Sequence, residues 1–156
     1  MSAPADGLYQ DVVLEHCKHP RNRRAPADAS HRARGENPLC GDHIEVYLRL
    51  DDGHIHDIAF DGVGCAIATA SASLMTEAMM GVDRHDAQRL LERFRQMLAA
   101  PGATPDPELG PLRALRGVHD FPGRLQCANL AWDALHAALQ AGTAPQPVAA
   151  IAGNAS

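Results

Sequence analysis

Residues 43–62 read HIEVYLRLDDGHIHDIAFDG and carry the clearest structural signal in the chain. Ile44, Val46, Leu48 and Leu50 alternate with His43, Glu45, Tyr47 and Arg49, the two-residue period of a strand with one face on a core. Asp51, Asp52 and Gly53 follow, residues suited to the positive φ angles of a tight hairpin. The chain then returns with Ile58 and Phe60 on one side, so this region is predicted to form a β-hairpin.

On either side of the hairpin the pattern changes. Upstream, GLYQDVVLEHCK predicts a helix with Asp6 as cap, Leu8, Val12 and Cys17 near one face, and Pro20 as its end. RNRRAPADASHRARGEN then reads as a loop leading to an irregular strand. Downstream, CAIATASASLMTEAMMG is a small-residue helix stopped at Gly81. In DRHDAQRLLERFRQML, Asp83 caps a helix whose stripe is Leu90, Leu91, Phe94, Met97 and Leu98. APGATPDPELG reads as a loop, PLRALRG as a short helix and RLQCANLAWDALHAALQ as the terminal helix. Strands first and helices afterwards predict an α+β fold: a small antiparallel sheet of about three strands with helices packed on one face. Residues 1–141 are expected to form one domain, and the Ala/Pro/Gly-rich residues 142–156 a flexible tail.

The 156 residues suffice for one core. A net charge of -5 and no long basic run exclude a phosphate-backbone binder, so nucleic acid is not an expected partner. The opening MSAPADG has no basic segment followed by an apolar block, which predicts a cytoplasmic protein. Hydroxyls and Glu77 interrupt the most apolar stretch, so no membrane span is predicted. The four cysteines of such a chain are expected to be reduced thiols, serving as ligands or nucleophiles.

Asn37 to Asp42 read NPLCGD. Asn, Pro and Gly already suffice for a turn, so Cys40 and Asp42 are surplus to it. Separated only by Gly41, the two side chains can be aimed at one point. Cys65 follows GVG at the start of a predicted helix and Cys127 lies near the start of the last one, where unpaired N–H groups favour a thiolate. Three sulfurs and one oxygen are a donor set for four-coordinate zinc. The cysteines are not spaced as a paired CxxC ribbon, and small buried cysteines packed as hydrophobes are the competing reading. Cys17, between His16 and His19, reads as a partly buried helix residue. His43, His54 and His56 read as surface histidines and Met75, Met79 and Met80 as packing.

Read in order, LYQDVVLEHCKHPRN, NPLCGDHIEVYLRLDDG, IAFDGVGCAIATASASLMTEAMMG and ALRGVHDFPGRLQCANLAWDAL resemble the SufU branch of the U-type iron-sulfur assembly proteins, over about residues 8 to 141. The resemblance implies a SufE/NifU-like fold. It implies zinc on Cys40, Asp42, Cys65 and Cys127, with iron or a transient iron-sulfur cluster as the alternative occupant. It makes Cys40 the acceptor of persulfide sulfur from a SufS-type cysteine desulfurase, with downstream iron-sulfur assembly components as further partners. The implied activity is that of a sulfurtransferase-like carrier. Alternatives are a scaffold on which a cluster is built and released, and a non-catalytic zinc module. Gln126, where IscU-type scaffolds carry His, and the segment GPLRALRGVHDFPGR both resemble the SufU branch. Zinc with three thiolates and a carboxylate has a net charge of roughly −2, which calls for a nearby cation. Arg124, one turn before Cys127, matches an important arginine of the family and is the expected functional cation.

Overall fold

The structure, a computed structural model, describes residues 3–37, 41–100, 106–120 and 122–140. Its elements are α1 (Ala3–Lys18), β1 (His31–Asn37), β2 (Asp42–Asp51), β3 (His54–Val63), α2 (Ala66–Met79), α3 (Arg84–Ala99) and α4 (Pro122–Gln140). A 3-10 segment, Pro107–Asp120, precedes α4 and is broken at Gly110, where φ is +53°. The predicted short helix falls within it.

The three strands form one antiparallel sheet in the order β1-β2-β3. Asp52 and Gly53 both have positive φ, 55° and 81°, the geometry of a two-residue turn that matches strand twist. Across the sheet Ala33, Val46 and Phe60 lie in one row and His31, Leu48 and Ile58 in the next. All six are buried. α4 packs on β1 and β2, and α2 on β3, so the helices cover this face as predicted. The opposite face carries Arg34, Glu45 and Asp61 in one row, with Arg49 across from Asp57. Backbone bonds from Arg24 N to Phe60 O (2.9 Å) and from Phe60 N to Asn22 O (3.0 Å) cover the outer edge of β3.

The helices follow their local codes. Asp83 is the N-cap of α3, accepting from His85 N at 2.6 Å. Ala87, Leu91, Phe94 and Leu98, spaced by four, three and four, are its buried stripe. Gly81, at φ 79°, follows α2 as expected. Asp6 does not cap α1, which begins at Ala3. Pro4 falls in the first turn, where a missing N–H costs nothing, so the helix extends further back than Asp6. The tail assigned to residues 142–156 lies outside the described residues. Among those described, no helix is long and apolar enough to cross a membrane.

Candidate metal centre

Asp42 is the first residue of β2, Cys65 the N-cap of α2, and Cys127 lies in the second turn of α4. Although far apart in sequence, their ligand atoms all lie within 4.8 Å of one another. The topology explains the meeting. β3 returns antiparallel to β2, so its C-terminal end, which leads directly into Cys65, lies beside the start of β2.

Two glycines make this return possible. Gly62 has φ +130°, and a Cβ there would sit 2.2 Å from His43 O. Gly64 would place a Cβ 2.9 Å from that of Ala68. The GVG stretch therefore keeps side chains out of the gap between β2 and the first turn of α2.

The donors are held by backbone. Cys65 N donates to Asp42 Oδ2 at 3.1 Å, and Cys65 Sγ accepts from Ala68 N at 3.5 Å. The first contact directs one carboxylate oxygen toward the helix start and leaves the other available. The second puts the sulfur in the positive field of a helix N-terminus, which favours thiolate. Cys127 is buried, with 7% exposure, whereas Asp42 and Cys65 are half-buried.

Two sulfurs and a carboxylate oxygen within 4.8 Å fit a soft divalent ion. Tetrahedral zinc with Zn–S near 2.3 Å separates its ligand atoms by ~3.7 Å, so only small side-chain adjustments are needed. Such a site offers Lewis acidity and holds thiols deprotonated, without redox change. Cys40, the remaining predicted ligand, lies outside the described residues. Arg124 occupies the first turn of α4 with its side chain exposed. Among the described residues, no ion pair involves it.

Cys17 is a partly buried residue packed on the core, as expected. Met75 and Met79 are fully buried, but Met80 is 37% exposed. A cleft of about 550 Å³ is lined by Asn37, Arg95, Leu125, Gln126 and Asp133 among others. Asn37 pairs with Asp42 across the sheet and Gln126 precedes Cys127, so neighbours of two cluster residues form part of its wall. No local sequence signal announced it, because its walls come from three separate elements.

Fold and site together define a small α+β protein with a Cys/Asp ligand cluster where strand ends meet helix starts. The chain belongs to the NifU-like N terminal domain family, whose model matches residues 8–128. It is 40% identical to the zinc-dependent sulfurtransferase SufU of Bacillus subtilis over 134 residues, 86% of this chain and 90% of that one. It is 39% identical to the iron-sulfur cluster assembly scaffold protein IscU of Streptococcus pyogenes, covering 85% of this chain and 83% of the other. Among solved structures, a putative iron-sulfur cluster assembly scaffold protein for the SUF system from Fervidobacterium islandicum superposes with a TM-score of 0.79. There the identity is 28%, with 85% of this chain and 97% of that one covered. The predicted resemblance to SufU and its α+β fold is thus borne out.

Proposed function

We propose that this protein is a zinc-dependent sulfur acceptor that takes persulfide sulfur from a SufS-type cysteine desulfurase and passes it on for iron-sulfur cluster assembly. The observation that carries the reading is the convergence of Asp42, Cys65 and Cys127 within 4.8 Å. It is supported by the zinc-dependent sulfurtransferase from Bacillus subtilis, similar over nearly the full length of both chains. In this reading the ion rests on Asp42, Cys65 and Cys127, with Cys40 as fourth ligand. When bound, it supplies charge that keeps the thiols ionised.

The transfer is thiol-disulfide exchange. The Cys40 thiolate attacks the terminal sulfur of the desulfurase cysteine persulfide, and a new S–S bond forms on Cys40. The old S–S bond breaks, its electron pair leaving on the desulfurase cysteine as thiolate. The sulfane sulfur changes carrier with no net oxidation or reduction. The NPLCGD stretch puts Cys40 in a sequence of turn formers, whereas Cys65 and Cys127 belong to the helix starts of α2 and α4, so Cys40 is the thiol assigned to meet the partner. Arg124, exposed at the start of α4, serves as the cation that assists this exchange at the protein surface.

A second reading, a scaffold on which a cluster is assembled, is favoured by the Streptococcus pyogenes relative named for that role. Desulfurase turnover with cysteine separates the two. A sulfur acceptor stimulates turnover as a colourless zinc protein, and Cys40→Ala abolishes the stimulation while Cys17→Ala does not. A stable brown cluster formed at the expense of zinc, without stimulation, would select the scaffold. Stimulation surviving Cys40→Ala would overturn the role of that cysteine.

A further inference from the structure

Cys65 and Cys127 ride on α2 and α4, so the distance between the two thiols depends on how these helices seat on each other. One buried hydroxyl holds the seam. Ser71 of α2, at 0% exposure, donates from Oγ to the Ala128 carbonyl at 2.7 Å and accepts from Trp132 Nε1 at 2.9 Å. Ala128 is the residue after Cys127, so the bond grips α4 one residue from the thiol. On the other side, the six residues from Cys65 to Ser71 span ~9 Å of helix. The indole is itself fixed, since Trp132 stacks on Phe94 with ring centroids 4.0 Å apart.

The other buried residues nearby on these helices include Ala68, Ala72, Ala128 and Ala131. Their methyl groups pack without directional preference. A hydrogen bond to one named carbonyl does have a preference, and it resists sliding of α4 along α2.

We propose that Ser71 is a positioning residue for the metal centre: its bond to the Ala128 carbonyl sets α4 on α2 so that Cys127 stays within ligand distance of Cys65 and Asp42. This rests on the reading that those three residues hold an ion. Metal sites are sensitive to such support, because outer residues that orient ligands typically govern one to two orders of magnitude in affinity.

The test is cobalt(II) binding, followed by sulfur-to-cobalt charge-transfer absorption against a competing chelator. It is run on the full chain and on Ser71→Ala, Trp132→Phe and the double variant, alongside urea unfolding of the chelator-treated proteins. Ser71→Ala strands the Trp132 N–H and loses stability, and its cobalt affinity falls about tenfold. Trp132→Phe keeps the bond to Ala128 and stays within about twofold of the parent. The double variant is decisive and carries the test alone should Ser71→Ala not fold. With no indole N–H left to strand, adding Ser71→Ala to Trp132→Phe costs less stability than Ser71→Ala costs the parent, yet it lowers cobalt affinity by the same factor of about ten. An affinity loss that shrinks along with the stability loss, or a Ser71→Ala affinity within about twofold of the parent, would overturn the proposal. A parent chain with no charge-transfer band would overturn the metal-centre reading itself.

Discussion

The interior face of α2 and the outer face of the sheet both carry polar side chains, and they use them in opposite ways. Along α2, three buried hydroxyls tie the helix to three different parts of the chain. Ser71 reaches Ala128 and Trp132 of α4. Ser73 meets His16 Nδ1 of α1 at 2.7 Å and accepts from Arg21 N at 2.8 Å, while Thr76 accepts from Asn22 Nδ2 at 3.0 Å. The outer sheet face instead carries solvent-facing ion pairs: Arg24 with Asp57 at 2.6 Å, Arg34 with Glu36 at 2.8 Å and Arg23 with Asp61 at 3.7 Å. A buried hydroxyl whose loss leaves partners unsatisfied costs far more than an exposed ion pair screened by water. Specificity of assembly therefore resides in a few short hydroxyls, and the conspicuous charges contribute mainly solubility.

Removing Ser73 should give the largest effect. Ser73→Ala strands His16 Nδ1 in a buried setting and Arg21 N in a part-buried one, and about 2–3 kcal/mol of unfolding free energy should disappear in urea titration. A loss no larger than that of an outer-face pair would erase the contrast between the two regions.

Acid should sharpen it next. Ser73 Oγ accepts from Arg21 N and shares a 2.7 Å hydrogen bond with His16 Nδ1. Burial, followed by the charge of Arg21, holds the His16 pKa below its ordinary value, against the opposing pull of Glu77 and Glu15. Because the folded form binds the proton less readily than the unfolded one, the stabilisation is complete above the unfolded value near 6.5 and is lost as pH falls through the lower folded value. Burial of His31 acts in the same direction. Melting temperature should thus decline on acidification from neutrality, and His16→Gln should flatten that slope while leaving the part due to His31. An unchanged slope would show that His16 is not the titrating group.

The smallest effect belongs to the outer face. Arg24 makes a two-pronged contact with Asp57, and its hydrogen bond holds the Asp57 carboxyl below the usual carboxylate range. Arg24 is nevertheless 44% exposed in its side chain. A double-mutant cycle on Arg24→Ala and Asp57→Ala should return a coupling of about 0.5–1 kcal/mol that shrinks in high salt.

Much of this was legible in the sequence where the code is local. The alternation of Ile44, Val46 and Leu48 gave β2, Asp52-Gly53 gave its turn, and Asp83 and Gly81 marked helix ends. Asp6 misled because a capping residue type says nothing about whether the helix continues upstream. The hydroxyls of α2 read only as interruptions of an apolar stretch, since their partners at positions 16, 22, 128 and 132 come close only on folding. Asp42, Cys65 and Cys127 stood out through turn and helix-start positions. The hairpin that brings Cys65 beside Asp42 was legible locally, but the arrival of Cys127 depends on α4 packing against α2 and the sheet, a non-local fact that the resemblance implied and local patterns could not.

Zinc-edge X-ray absorption of the purified full chain tests the central claim most directly. A centre built on Asp42, Cys65, Cys127 and Cys40 predicts roughly three sulfur neighbours near 2.3 Å and one oxygen or nitrogen near 2.0 Å, with one sulfur lost in Cys127→Ser. A shell without sulfur, or one unchanged in both Cys65→Ser and Cys127→Ser, would contradict it.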